Sequence, residues 1–416
     1  MKFAHLADCH IGSWRDPKLR ELGIKSFEKA IDICINEHVA FILICGDLFN
    51  TALPSIELIK ETASIFQKAR DHDISVYVIP GSHDYSPSNK TILDVFEKSG
   101  LLENVAKFEE IDGKIVLNFA VDKTSTKITG IYGKRTGLDR FVYQKLNKEI
   151  LEKEKGFKIF MFHCGINEFK TMAFEKLDFE SLNSFPKNFN YYAGGHIHHI
   201  YDKEIKNYGL FVYPGPLFPN NFEEVETLKH GSFVIADVNG KNEIKIRRIA
   251  VKFYDTLSLG INVDGLTSYE ANLKIRETIE NSPIENKVVT LRISGVLKSG
   301  KLNDINFKEI YSKLEKSYTV LKNTSKLTTK EYEEVKIESG SLLDIESRII
   351  KSNLGNLHLQ NIGEEEEEIL LKDLLSSLLI EKNEAEKAAE FESRVSTIAL
   401  KILNISELWE NAAKKN

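Results

Sequence analysis

Apolar residues come in short runs through the first half of this chain, and each run stops at a polar or glycine-containing break. Runs at 2–7, 40–45 and 75–79 are too short for helices and rich in β-branched and aromatic residues, so they predict strands. The same reasoning places strands at 127–132, 158–162, 190–193, 210–213, 232–237 and 243–252, with Asn239-Gly240 as a turn between the last two. Between the first two runs the period changes. Ile24, Phe27, Ala30, Ile31 and Cys34 fall on one face of a helix over 22–36, and Ile56, Ile59, Ala63 and Phe66 on one face of a helix over 55–69. Strands alternating with amphipathic helices predict a layered α/β (α+β) architecture, a β-sandwich flanked by helices.

The texture changes near residue 253. Strand, helix, strand, helix and strand are expected at 255–263, 269–280, 287–293, 307–316 and 318–322, a small second α/β unit that contains neither His nor Cys. Beyond Asn323 the chain turns polar and then helical. One helix is expected over 342–354, between Ser341 as N-cap and Gly355 as C-cap. The acidic run 364–368 reads as the solvated, dipole-favoured start of a helix carrying Leu370, Leu371, Leu374, Leu375, Leu378 and Leu379. Ala388, Phe391, Val395, Ile398, Ile402 and Leu403 mark one more helix. The expected domains are therefore 1–252, 253–335 and a helical region over 336–416.

Composition narrows the class. A chain of 416 residues exceeds a single ordinary core, and 42% apolar with 28% charged residues is a soluble globular balance. No apolar run approaches the ~20 residues needed to cross a bilayer, and the opening MKFAHLADCHIG lacks the apolar core and cleavage site of a signal peptide. The cysteines Cys9, Cys34, Cys45 and Cys164 follow no CxxC spacing, which fits a reducing cytoplasm. The net charge of −6 argues against broad phosphate neutralisation, so a nucleic-acid substrate would need positive charge gathered locally, by bound ions or a basic patch. Lys134, Arg135 and Arg140, or Lys245, Arg247, Arg248 and Lys252, offer such a patch, although a solvated strand face explains them equally well.

The candidate chemistry sits where strands stop. Asp8 and His10 follow the first strand, Asp47 the second within GDLFN, and Ser82, His83 and Asp84 the third within PGSHD. His163 ends a later strand, and His196 and His198 follow another as GGHIH. Loops at strand ends on one sheet edge are where α/β folds build ligand sites. A mixed carboxylate and imidazole set suits Mn, Fe or Zn better than Mg or Ca.

In this order, D-x-H, GD, G-x-H-D, H and GH-x-H resemble the signature of calcineurin-like metallophosphoesterases. The flanking FAHLADCHIG, GDLF and YPGP further resemble the SbcD/Mre-eleven nucleases of DNA-break repair, archaeal type, over about the first 250 residues. The resemblance implies a nuclease domain, a capping domain at 253–335 and two divalent ions, Mn above all. The first ion would be held by Asp8, His10, Asp47 and His198, and the second by Asp47, His163, His196 and the residue at position 82. His83 would be the catalytic general acid, with Asp84 orienting it and Asn50 supporting the ligands from behind; His5, inside the first strand, reads either as a hydrogen-bonded core histidine or as a further support of the site. The family has Asn where this chain has Ser82, whose shorter hydroxyl predicts a weaker second metal site. The resemblance also implies 3′–5′ exonuclease and endonuclease action on DNA ends and a homodimer through the helix at 55–69 with Ile92, Leu93, Val95 and Phe96, residues that ordinary core packing explains equally well. Helices near 370–379 and 387–403 would bind an SMC-like coiled-coil ATPase of the Rad-fifty/SbcC type or pack on the chain's own second domain. A phosphatase or cyclic-nucleotide phosphodiesterase with the same metal core is the alternative enzyme, and a metal-poor scaffold for the ATPase is the alternative of another class.

Overall fold

A computed structural model of the chain describes residues 1–86, 90–133, 138–170, 179–330, 350, 363–380 and 388–403. The described residues fall into two compact units, Met1–Thr329 and Lys330–Asn416.

Two six-stranded sheets dominate the first unit. In spatial order the first contains β14 (Ile244–Val251), β13 (Gly231–Val238), β1 (Lys2–Leu6), β2 (Phe41–Cys45), β3 (Ser75–Ile79) and β4 (Glu103–Asn104). The second contains β11 (Ile200–Glu204), β12 (Leu210–Pro214), β10 (Tyr191–Gly195), β9 (Lys158–His163), β8 (Lys127–Ile131) and β7 (Ala120–Val121). β1 to β4 run parallel, as do β8, β9, β10 and β12; β13 and β14 at one edge of the first sheet, and β7 and β11 at the edges of the second, are antiparallel to their neighbours. A separate hairpin pairs β5 (Phe108–Ile111) with β6 (Lys114–Leu117).

Side chains alternate across each strand, so one strand feeds two cores. Phe41, Leu43 and Cys45 of β2 face the other sheet, where they meet Phe3, Tyr77, Ile159, Met161, Tyr191 and Val212. Ile42 and Ile44 point the opposite way, onto α1 (Pro17–Asn36) through Phe27, Ala30 and Ile31 and onto α2 (Ile56–Asp71) through Phe66 and Ala69. On the far side Phe160, Phe162, Tyr192 and Phe211 pack against α4 (Leu138–Lys145) and α5 (Lys148–Lys153). The result is helices, sheet, sheet and helices in four layers. All nine strands expected before residue 253 form, with ends shifted by a residue or two. Helix α1 begins earlier than its apolar stripe implies, because Asp16 accepts the Leu19 N–H at 3.0 Å and Pro17 follows as a ready-made first residue. The pattern did not reveal α3 (Leu93–Lys98), β4 to β7 or β11, which are short or largely exposed.

The segment from 253 packs against the same body. β15 (Thr256–Asn262), β16 (Val288–Leu297) and β17 (Thr319–Thr329) form a parallel three-stranded sheet over α7 (Ser268–Glu280) and α8 (Phe307–Lys313). Leu19 and Leu22 of α1 and Val225 of α6 (Phe222–Leu228) bury against Val288, with Tyr254 stacked on Tyr318 at 3.8 Å. β17 runs to residue 329, beyond the expected 322, because β16 continues as its partner to Leu297.

In the second unit α9 (Glu364–Leu378) packs on α10 (Ala388–Ile402), and the acidic run opens α9, with the Glu366 carboxylate accepting the Gly363 N–H at 3.2 Å. Ile369, Leu375, Leu378 and Leu379 are exposed on this pair. The helix expected over 342–354, with Ser341 and Gly355, lies outside the described residues apart from Ile350. Among the described residues no helix is long and apolar enough to cross a membrane.

Phe41 is fully buried between the sheets and stacks on Phe3 at 5.1 Å. Phe41→Ala is expected to destabilise the protein by about 3–5 kcal/mol, read as a shift of the chemical-denaturation midpoint.

Candidate metal centre

Because β1, β2, β3, β9 and β10 run parallel within their sheets, the loops after them open on one rim. The first two loops continue their strands' pairing: His10 N–H bonds the Asp47 carbonyl at 2.9 Å, and Ile11 N–H that of Leu48 at 3.0 Å. This holds Asp8 and Asp47 side by side, 1% and 2% exposed. The backbone pays for the tight turns. Asp8, His10, Asp47, His196 and His198 all have positive φ, between 42° and 91°, a region that L-residues with side chains rarely adopt.

Asp47 is the hub. Its Oδ1 accepts the His83 N–H at 2.7 Å. Its Oδ2 lies 3.2 Å from His163 Nε2, 3.5 Å from His10 Nε2 and 3.4 Å from the Ser82 hydroxyl. Burial alone would raise its pKa, but His163 and these donors hold it below the carboxylate range. Burial alone would likewise lower the His163 pKa, yet the Asp47 carboxylate beside it raises it to about 10. Asp8 has both oxygens on the His196 N–H, at 2.9 and 3.0 Å, and its pKa is raised by burial.

The imidazoles are aimed from behind. His163 Nδ1 must donate to the Cys45 carbonyl at 2.8 Å, since that oxygen only accepts, so Nε2 is the atom presented to Asp47. His198 Nδ1 donates to Glu224 Oε1 at 2.8 Å, and its Nε2 reaches within 3.6 Å of Asp8 Oδ1 and 3.0 Å of His10 Nε2. Burial would lower the His198 pKa, but Asp8 and Glu224 lift it to about 9; His10, buried, falls to about 3. The His196 ring stands beside His163, centroids 5.0 Å apart, on the exposed side of the cluster.

Among the described residues, three groups have ligand atoms close enough to share an ion: Asp8, His10 and His198; His10, Asp47 and His83; and Asp8, Asp47 and His163. Two buried carboxylates ringed by imidazole Nε2 atoms, with His163 Nε2 and His10 Nδ1 lacking a hydrogen-bond partner, fit divalent cations. The Nδ1 anchors on a carbonyl and a carboxylate are the arrangement that orients metal-binding histidines.

The remaining expected residues take varied places. His83 joins the cluster, its ring fixed by donation from Nδ1 to the Asn50 carbonyl at 2.7 Å. Asn50 thus helps through its backbone. Asp84, expected to orient His83, instead accepts N–H groups from Gly81 at 2.8 Å and Phe49 at 3.3 Å, tying the two loops together; burial raises its pKa to about 7. His5 lies between the sheets with Nδ1 3.0 Å from the Tyr191 hydroxyl, and burial lowers its pKa to about 3, so it is a neutral core histidine. Burial pushes the Cys9 thiol well up, away from thiolate ligation. Glu224, missed by the sequence reading, belongs to the site. Several candidate phosphate-binding cations are engaged elsewhere: Arg140 with Glu180, Arg247 with Glu37, Arg248 with Asp202 and Lys252 with Asp255. Lys134 and Arg135 lie outside the described residues.

A family model for calcineurin-like phosphoesterases matches residues 1–199. The DNA double-strand break repair protein Mre11 of Methanococcus maripaludis is 30% identical over 267 residues, covering 61% of this chain and 67% of that one. The protein of the same name from Methanocaldococcus jannaschii is 29% identical over 304 residues, or 68% of this chain and 75% of that one. The crystal structure of a dimetal phosphatase from Danio rerio covers 61% of this chain and 96% of its own with a TM-score of 0.40 and 9% identity.

Gly46 has φ +81°, and a Cβ there would lie 2.1 Å from His163 Nδ1. Gly46→Ala is therefore expected to displace the His163 ring from Cys45 and to weaken Mn²⁺ binding by about 10- to 100-fold, measured by calorimetry, with the circular dichroism spectrum unchanged.

Proposed function

The chain belongs to the Mre11 family of DNA double-strand break repair proteins, and from that premise we propose that it is a two-metal nuclease that processes DNA ends. The observation that carries this reading is the convergence of Asp8, His10, Asp47, His163, His196 and His198 on one rim, with Nδ1 anchors aiming His163 and His198. Asp8, His10, Asp47 and His198 would hold the first ion, and Asp47, His163, His196 and Ser82 the second. When bound, such ions supply Lewis acidity to a phosphodiester and to water. Mn suits the mixed donor set.

The protein's own groups do the rest. The half-buried His83 ring is fixed by its Nδ1–H, donated to the Asn50 carbonyl, and stands beside His10 with centroids 4.8 Å apart, so Nε2 is the ring atom through which a proton would pass to substrate. From there it can donate to a leaving oxygen as general acid. Ser82 donates toward Asp47 Oδ2 at 3.4 Å and has only a hydroxyl where Asn would offer a carbonyl to the ion. The second ion is therefore the weaker one.

The segment 253–335 would act as the family's capping domain, and 336–416 as the region that docks an SMC-like coiled-coil ATPase. The apolar residues exposed on α9, Ile369, Leu375, Leu378 and Leu379, suit helix-in-groove recognition of such a partner. Leu53, Ile56 and Val95 are likewise exposed and suit a homodimer seam, whereas Leu93 and Phe96 belong to the core. A cytoplasmic setting agrees with four free, buried cysteines.

The test is cleavage of end-labelled duplex DNA and of a generic phosphodiester by the full chain with Mn²⁺. His83→Leu is expected to lower kcat by about 10²- to 10⁴-fold with metal binding retained. Cleavage of the small ester alone would favour a phosphatase, and loss of both activities at full metal occupancy would favour a scaffold. Ser82→Asn is expected to tighten the second ion in a metal titration and to raise the rate at limiting Mn²⁺; equal occupancy and rate in the two proteins would overturn the weak-site reading.

A further inference from the structure

The family model ends at residue 199, but the metal centre does not. Helix α6 reaches it with Glu224. Oε1 of Glu224 takes the His198 Nδ1 proton at 2.8 Å, and the Asn221 amide donates to the same oxygen at 2.5 Å. Oε2 takes the Asn220 N–H at 2.7 Å. The carboxylate is thus held on both oxygens, and only 15% of its side chain is exposed.

Two residues further on, 200° around the helix axis, the opposite side of α6 is gripped by the three-stranded unit. Glu226 forms a two-pronged pair with Arg292 of β16, at 2.6 Å to Nη2 and 3.1 Å to Nε. The Arg292 guanidinium also lies 4.9 Å from the Phe222 ring centroid, one turn back on that side. Between them Val225 is buried with Leu19, Leu22 and Val288. A helix of seven residues held on one side by a neighbouring sheet offers a metal ligand on the other side little freedom to move independently.

We propose that Glu224 is the positioning residue of His198, and that α6 transmits the seating of the three-stranded unit to this ligand through the Glu226–Arg292 pair. The proposal rests on the metal reading given above. Glu224 fixes the ring with Nε2 toward Asp8 and His10, so the first ion depends on it and the second, held by His163 and His196, does not. The Glu226–Arg292 pair acts on the same ligand at one remove.

Calorimetric titration of the full chain with Mn²⁺, paired with electron paramagnetic resonance to tell coupled from isolated ions, separates the outcomes. Glu224→Ala is expected to weaken one of two sites by about 10- to 100-fold, leave the other within about twofold and abolish the coupled signal at limiting metal. Glu224→Gln keeps an acceptor for Nδ1 and is expected to restore part of that affinity. Arg292→Met, or Glu226→Gln if the first variant folds poorly, is expected to weaken the same site by about 2- to 30-fold, and to add nothing in the Glu224→Ala background. Unchanged affinities in Glu224→Ala, equal weakening of both sites together with a lower Tm of the metal-free protein, or additive effects of the Glu224 and Arg292 changes would each overturn the proposal while the metal reading stands. A wild-type protein that binds no Mn²⁺ would overturn the metal reading and the proposal with it.

Discussion

Two carboxylates buried side by side, Asp8 and Asp47, are the constraint on which the rest of the rim depends. A charge removed from water costs several kcal/mol unless it is paired, and each of these raises the cost of the other. The surrounding structure supplies positive charge from the side of the second sheet, through His163, and from the loop after β10, through His198. Everything nearby is shaped to bring those rings close. Gly46 and Gly81 leave no room for a Cβ because His163 Nδ1 and the Asp47 backbone occupy that space, at 2.1 and 2.3 Å. The left-handed backbone at five ligand positions is strain that only a well-packed surround can maintain. Divalent cations would answer the same electrostatic need of the two carboxylates.

The residues that the structure gathers on the rim were legible in the sequence because they sit at strand ends, where periodicity breaks and a polar group stands out. Asp8, His10, Asp47, His163, His196 and His198 were all found that way. Reading was weaker where function passes through the backbone or through a distant helix. Asn50 contributes a carbonyl, which any residue could supply, so its side chain carried no signal. The role of Asp84 beside His83 came from the resemblance alone; in the structure its oxygens accept from the Gly81 and Phe49 N–H groups. Glu224 lies 26 residues beyond His198 on a short helix, and no local pattern marks one glutamate among the three in Phe222–Leu228. The paired strands and helices were legible for a simpler reason: burial on two faces forces continuous apolar runs, and an exposed strand such as β5, FEEI, lacks one.

Net charge argues against broad phosphate neutralisation, and ion pairs among the described residues point the same way. Arg247, Arg248 and Arg140 are each joined to a carboxylate, so these cations bind the protein to itself. Surface pairs of this kind contribute about 0–1 kcal/mol each, yet they remove their charges from competition for phosphate. Attraction for a phosphodiester is thereby left to groups at the rim and to any cations held there. A site with its positive charge concentrated at the reacting position selects for phosphate where chemistry occurs and binds it weakly elsewhere.

The division of the candidate site's residues between the sheets sets a further demand. Asp8, His10, Asp47 and His83 come from loops of the first sheet, whereas His163, His196 and His198 come from the second. No single loop or sheet assembles the centre, so its geometry is fixed by the distance and rotation between the two sheets. That relation is set by the interior layer in which Phe3, Phe41 and Tyr77 meet Ile159, Met161 and Tyr191. His5 belongs to this layer and spans it by holding the Tyr191 hydroxyl from β1, which gives a buried polar residue of the first strand a structural task close beneath the ligands that follow it. The interior packing is therefore part of the metal centre: a cavity opened there changes the spacing between Asp47 and His163 even though no ligand has been touched.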